Sequence, residues 1–416
     1  MPKRSRQPSI LVLPINSLEN YREKGTLGQY KAYFNPAGYF RRVVALYSYD
    51  HAGQGRVGGV PVVRIQRKFL PFDLIRLLVT SLIIVKALDV SVIRAYGAEF
   101  EGLIAVLVGR LTKRPAIVSL HGEDDEVIRS RGFPWFVRAA AWIVITLVLS
   151  LASGVWCVSK GVADYARRRG ARKGRIRVIY NKVVVDRMLN CSSMRRTARE
   201  ELGYEDHDFV LIHVGRFSGD KRIHEMIEAL LILKSRGATN VKLLLVGGPP
   251  RESSTGSLGG RRKSDYIRDF STYHQITQMI EGGGLDDNVR ITGFRPNDEV
   301  PFYLSAADAY LVAATLIGFG IALAEGAAAG LPIIGSKDVL VGDRGVLLNR
   351  RTGVAFEANN PSDLADKILQ LRDDPGLRKR LGKAAQENVM RFTWRRIAER
   401  EAGFYDELIS RNGRDE

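Results

Sequence analysis

The chain has 416 residues, of which 45% are hydrophobic and 26% charged, with a formal net charge of +18 and two cysteines. It is too long for one ordinary core and suits two domains of about 180–200 residues. The composition excludes a disordered chain and a disulfide framework. The charge favours anionic partners: a nucleotide diphosphate, an acidic membrane surface or a phospholipid acceptor. Nucleic acid is the weakest of these, because neither zinc-finger spacing nor an RNP-type aromatic strand occurs. Dispersed surface Lys and Arg are the plain alternative.

Residues 10–15 read as a buried first strand; Ile10–Leu13 is too short for a signal-peptide core and runs into Pro14. Residues 43–47 and 62–65 read as further strands. Residues 69–88 form an amphipathic helix with Leu74, Leu77, Leu78, Leu82 and Val85 on its apolar side. A strand at 90–94, a helix at 101–111 and a strand at 116–120 follow. Strand and helix alternating at this spacing predict a parallel α/β sheet. Gly53, Gly55 and Gly58 satisfy the dinucleotide pattern G-x-G-x-x-G, but Pro61 and a β-branched run follow where a helix is required. The stretch therefore reads as a loop.

His121 closes the strand 116–120, at the end of a parallel strand that faces the ligand crevice in such sheets. The plain reading is a His bonding a loop carbonyl. The acidic run Glu123–Glu126 reads as the first turn of the next helix rather than as a metal site. Residues 139–158 carry no charge and are long enough for a membrane span. Ser150, Ala152, Ser153 and Gly154 divide them into a buried helix and a strand at 155–158, with room for a membrane-docked face. Cys157 and Cys191 lack metal-ligand spacing and read as free thiols of a reducing cytoplasm.

The second half opens with a strand from Phe209, a loop and a helix at 223–233. Arg216 and Lys221 sit on that loop, where two cations suit a diphosphate; solvated loop cations are the plain alternative. A strand ending in glycines at 241–248, a strand and turn at 289–295 and a strand at 306–312 follow, with a basic stretch of loop composition at 249–263. Asn360-Pro-Ser-Asp363 is a helix start with its cap.

The chain is organised around residues 315–334: a glycine loop (Gly318, Gly320), a short Ala-rich helix, a stop at Gly330 and Pro332, and a strand. A glycine loop feeding a helix leaves backbone N–H groups unpaired at the positive end of the dipole, an anion site. Glu325 is the only charge between Asp308 and Lys337. An unpaired buried carboxylate costs several kcal/mol, so Glu325 is expected to face a cleft and hold polar ligand atoms.

This stretch resembles the donor-site signature of the retaining family-4 (group 1) glycosyltransferases. The resemblance implies the GT-B fold: two Rossmann-like domains facing each other across a cleft. The expected boundaries are residues 1–185 for acceptor binding, 186–393 for nucleotide-sugar binding, and 394–416 for a helix crossing back, with a linker at about 182–197. By the resemblance, Glu325 binds the nucleotide ribose, and Gly318, Phe319, Gly320 and Ile321 bind phosphate and sugar. Arg216 and Lys221 neutralise the diphosphate, Gly293 and Phe294 read the base, and His121 lies near the transferred sugar. The family's first donor-site glutamate is Ile317 here, and the glycine after its lysine is Arg222.

The expected function is a retaining glycosyltransferase that moves a sugar from a nucleotide-diphosphate sugar to a hydroxyl acceptor, lipid-linked or on a cell-envelope glycan. No cofactor or metal is expected, and the expected place is cytoplasmic, peripheral on the inner face of the membrane. A protein that binds the nucleotide sugar without turnover, on the strength of Ile317, is the second reading. A nucleotide-sugar epimerase on the same fold is the third.

Overall fold

Strand β1 (Ser9–Leu13) buries all five of its side chains, as a strand does when its sheet is covered on both faces. It pairs in parallel with β2 (Arg42–Tyr47) on one side and β5 (Val92–Tyr96) on the other. The structure, a computed structural model, describes residues 7–14, 18–23, 26–48, 53–65, 70–122, 133–248, 263–314, 319–340, 349 and 351–412. The chain divides into two compact units, Met1–Tyr180 with Arg395–Glu416, and Asn181–Trp394.

The first unit adds β3 (Gly53–Val57), β4 (Val60–Arg64), β6 (Ala116–Leu120), β7 (Gly154–Cys157) and β8 (Ile176–Val178). The sheet order is β3-β4-β2-β1-β5-β6-β7-β8. Among the described residues only the β3–β4 pair is antiparallel. Residues 53–57 of the stretch expected as a loop are therefore an edge strand, and Gly58 lies in the turn that follows. Gly58 and Gly59 take φ of +53° and +80°, the backbone a two-residue hairpin turn requires, and the reversed chain zips onto β4. The strand expected at 90–94 is shifted to 92–96. Asp89 at φ +45° ends the preceding helix, and the Val90 N–H is spent on the Val85 carbonyl (3.1 Å).

Helices Leu70–Ala87, Phe100–Thr112 and Trp135–Leu151 form one layer on this sheet. Leu77, Ile84 and Val85 of the first share a core with Ile104, Ala105 and Val108 of the second and with Leu11, Val44 and Ile93 of the strands. At Gly102 the second helix meets the third so closely that a Cβ would fall 2.9 Å from Val148 Cγ1. The uncharged stretch at 139–158 divides as its small residues require, into that third helix and β7. Among the described residues no helix is long and apolar enough to cross a membrane.

Among the described residues the second unit holds a six-stranded parallel sheet in the order β11-β10-β9-β12-β13-β14. Its strands are β9 (Phe209–Val214), β10 (Val241–Val246), β11 (Val289–Ile291), β12 (Ala309–Val312), β13 (Ile333–Ser336) and β14 (Gly353–Phe356). The strand expected at 306–312 starts only at Ala309, because the helix Val300–Ala306 takes its first residue. Asn360 caps the helix Pro361–Asp373 as expected, its side chain accepting from the Asp363 N–H at 3.1 Å.

Residues 182–197, expected as a linker, are folded onto the second unit. The Val183 N–H donates to the Phe392 carbonyl (3.0 Å), and a short helix Asp186–Leu189 follows. Val183, Val185, Met188 and Cys191 are buried; an extended linker would leave these side chains in water. The last helix, Trp394–Asn412, clusters with the first unit from Arg395 onward. Its Tyr405 hydroxyl accepts from Arg94 Nη1 at 2.8 Å, and Tyr39 donates to Asp406 at 3.0 Å.

Candidate functional site

In an open parallel sheet the ligand edge is the carboxyl one. At that edge of the second unit, three glycines follow three adjacent strands: Gly215 after β9, Gly247 after β10 and Gly293 after β11. Their backbones touch. The Gly215 N–H donates to the Val246 carbonyl (3.0 Å), and Gly247 and Gly293 form an isolated bridge. Gly293, at φ +71°, and its neighbour Phe294 are half-buried there. Gly215, Gly247 and Gly293 carry no side chain, so the backbone at these three positions is a shelf that a flat ring can approach.

Beside the shelf, the loop after β9 carries the two cations. Arg216 is exposed; Lys221 is half-buried in the turn Gly219–Lys221, with Nζ 2.6 Å from Asp220 Oδ2. Burial pushes the Asp220 carboxyl up, but Lys221 and Arg216 more than offset this and hold it below the usual range. Both cations thus act on one small region. Arg222 stands in the left-handed region at φ +53°, the conformation a glycine there would take without strain. Its Nε donates to Glu225 Oε2 (3.0 Å), and its guanidinium also reaches Asn359. Glu225 is buried and receives the Asn360 N–H on its other oxygen at 3.1 Å.

The helix Ile321–Ala328 starts from Gly320, which takes φ +76°. Its first closed intrahelical bond is Ala324 N–H to the Gly320 carbonyl (3.0 Å). The amides of Ile321, Ala322 and Leu323 have no acceptor within the helix and mark its positive end. Phe319 is buried with its ring 5.4 Å from that of Phe392, so its side chain anchors the loop and only its backbone is left for a ligand. Ile321 is exposed. Gly318 and Ile317 lie outside the described residues.

Glu325 projects from this helix, half-buried, and burial pushes its carboxyl up to about 7. Among the described residues its carboxylate has no hydrogen-bond or ion-pair partner. The helix sits directly on Tyr310 of β12: a Cβ at Gly326 would fall 2.4 Å from Tyr310 Cδ2. The Tyr310 hydroxyl in turn donates to the Val214 carbonyl (3.3 Å), at the end of β9. One buried ring therefore connects the helix of Glu325 to the strand that leads into the cation loop.

His213 was not singled out from the sequence. It lies on β9, buried, with Nδ1 2.9 Å from the Leu311 carbonyl. A carbonyl only accepts, so Nδ1 carries the proton and Nε2 is an acceptor. That Nε2 is buried without a partner among the described residues, 3.2 Å from the place a Gly215 Cβ would take. Burial and Lys221 push the imidazole down to about 4, against the effect of the Leu311 bond. A lone histidine in the apolar run FVLIHV, two residues before Gly215, was the available signal.

In the first unit His121 directly follows β6, its ring stacked on Tyr96 at 5.3 Å and 16°. Burial, and secondarily Arg94, push it down to about 3, and its Nε2 is buried without a partner among the described residues. Arg94 itself is buried, with its guanidinium carbon 3.7 Å from the Trp156 ring centre and 4.6 Å from that of Tyr96. The Glu123–Glu126 run lies outside the described residues. Among the described residues no cluster of His, Cys, Asp or Glu could hold a metal ion.

Two family models match the chain: glycosyl transferases group 1 over residues 194–388, and the glycosyl transferase 4-like domain over residues 33–182. An uncharacterized glycosyltransferase of Methanocaldococcus jannaschii is 24% identical over 328 residues, 78% of each chain. A D-inositol 3-phosphate glycosyltransferase of Corynebacterium efficiens is 28% identical over 215 residues, 51% of this chain. The match spans only 46% of that relative. Among solved structures, Anabaena HepE in complex with UDP and glucose has a TM-score of 0.73 at 20% identity, covering 96% of this chain and 100% of that one. Sucrose-phosphate synthase of Thermosynechococcus elongatus has a TM-score of 0.76 at 20% identity, covering 98% and 100%. The fold is that of the GT-B glycosyltransferases, and the chain belongs to the group 1 glycosyltransferases.

Proposed function

We propose that the protein transfers a sugar, with retention of anomeric configuration, from a nucleotide-diphosphate sugar to a hydroxyl acceptor that is lipid-linked or part of a cell-envelope glycan. The observation that carries the donor reading is Glu325. It is a half-buried carboxylate with no partner among the described residues, on a helix tied through Tyr310 to the strand before the cation loop. A pair of ribose hydroxyls would satisfy it. Arg216 and Lys221 would take the diphosphate, the amides of residues 318–321 the phosphate and sugar, and Gly293 and Phe294 the base. The solved complexes of HepE with UDP and with UDP-glucose support a nucleotide-sugar donor.

In this reading the donor's C1–oxygen bond breaks as the acceptor oxygen bonds to C1 on the same face, and the departing phosphate oxygen takes the acceptor's proton. Two cations at the leaving diphosphate do the electrostatic work, without a metal. His121 is assigned to the sugar on the family resemblance alone. Reprotonation of a group pushed down to about 3 is costly at neutral pH, so His121 would act as a neutral hydrogen-bonding group and not as an acid.

The test is release of free nucleotide from UDP-, GDP- and ADP-sugars, with and without a crude lipid extract, with Glu325→Ala as control. Release that needs both extract and Glu325 is expected. Saturable donor binding without release under any condition would favour the second reading, a nucleotide-sugar-binding protein, and Ile317→Glu would then test the cause.

A further inference from the structure

The three outer helices of the first unit expose only apolar, small or cationic side chains along their described lengths. Helix Leu70–Ala87 turns Phe72, Ile75, Val79 and Ile83 outward, a single stripe at helical spacing, with Phe72 65% exposed. Helix Phe100–Thr112 adds Leu107 and Leu111, one turn apart. Helix Trp135–Leu151 adds Trp135, 78% exposed, with Phe136, Ile143 and Leu147. The first helix packs on the second and the second on the third, so the stripes are neighbours. A soluble surface rarely gathers so many large apolar groups without a partner.

The charge on this face has one sign. Asp73 and Glu101 are the acidic residues of the three helices, and both are buried, at 5% and 1% exposure. Arg76, Lys86, Arg110 and Arg138 are exposed. Nearby, the Arg169 guanidinium lies 5.3 Å from the Trp142 ring centre. Tryptophan beside arginine, over a bed of aliphatic groups, suits the headgroup boundary of a bilayer.

We propose that this three-helix face docks on the surface of an anionic lipid bilayer, with the helices lying in the membrane plane. A second copy of the chain is a poor occupant, because the face would meet its own cations. Spanning is ruled out for the third helix by its inner side, where Ile145, Val148 and Leu149 are buried in the protein. Each helix runs back along the sheet from the carboxyl end of a strand, so Phe72 and Trp135 lie at the edge where His121 follows β6. A hydroxyl acceptor borne on a lipid would be delivered to that edge. This last step rests on the transferase reading; the docking does not.

The experiment is flotation of the full chain with phosphatidylcholine vesicles, with and without phosphatidylglycerol, at low and high salt. Nucleoside diphosphate binding is measured on the same samples. The wild type is expected to float with the anionic vesicles, less so at high salt. Ile83→Glu with Ile143→Glu should lower vesicle affinity tenfold or more, and Arg110→Gln with Arg138→Gln about 30-fold, with nucleotide binding unchanged. A wild type left behind by anionic vesicles at low salt overturns the proposal, as do variants that float as well as it does. So does a dimer that Ile143→Glu dissociates while flotation is unchanged. Flotation without any nucleotide binding supports the docking and removes the donor reading instead.

Discussion

A Cβ on Gly247 would lie 1.8 Å from the carbonyl oxygen of Gly215. The backbone of Gly247 is also at φ +143°, so two independent constraints reserve this position for glycine. The contact brings the ends of β9 and β10 together, and Gly293 joins them through its bridge to Gly247. Gly247→Ala should destabilise the second unit by about 3 kcal/mol or more, the sum of backbone strain and overpacking. Gly219→Ala, where a Cβ meets nothing within 4 Å, is the near-neutral control. Urea denaturation of the two variants checks this, and equal midpoints would refute the close approach.

Glu325 makes stability depend on pH. Its folded value of about 7 lies above the ordinary 4.5, so the folded state binds the extra proton. The contribution is full below about pH 4.5 and is lost as pH rises through 7. Over that window the wild type should lose about 2–3 kcal/mol relative to Glu325→Gln. Parallel denaturant curves at pH 5 and pH 8 measure it.

Nucleotide affinity should run the other way. Only the ionised carboxylate accepts two ribose hydroxyl bonds, so wild-type affinity should fall as pH drops below about 7. Glu325→Gln should bind about 10–100-fold more weakly at pH 8, with a flat profile between pH 6 and 8. Calorimetric titration against pH reads both effects. A wild-type profile as flat as the variant's would remove Glu325 from the ribose site.

Arg222 replaces the glycine expected after Lys221, yet keeps a glycine-like backbone at φ +53°. Arg222→Gly relieves about 1 kcal/mol of strain but strips buried Glu225 of its cation. Loss of a buried partner costs about 3–5 kcal/mol, so the variant should be less stable by about 2–4 kcal/mol. Arg222→Gly with Glu225→Gln should recover most of that loss. A double-mutant cycle in denaturant tests it, and additive losses would show that the pair is not coupled.

Arg94 and His121 are coupled through the Tyr96 ring, on which both lie. Replacing Arg94 by Met removes the smaller of the two influences on His121. The imidazole should then titrate above about 3 but still below its ordinary 6.5, because burial remains. NMR titration of the six histidines, with His121→Asn for assignment, would follow this. The same substitution takes the donor away from Tyr405 and should loosen the last helix.

The sequence alone determined the element order, because alternating apolar runs and amphipathic helices are local signals. Strand 116–120 came out at its observed ends, and the cap at Asn360 was legible in four residues. The glycine loop, the helix of Glu325 and the two loop cations were also visible, since each lies on one short stretch of chain. What failed depended on distant partners. Residues 53–57 became a strand because β4 offers them a ladder, and residues 182–197 folded because the second unit covers Val183, Val185 and Met188. Only the tertiary structure showed that Phe319 packs inward, that Arg222 pairs with Glu225, and that His213 lies buried beside the shelf of glycines. Likewise, the outward stripes of three helices make one face only after the sheet has set them side by side. Local periodicity names an element and its apolar side, but which groups then meet is decided by contacts between residues far apart in the chain.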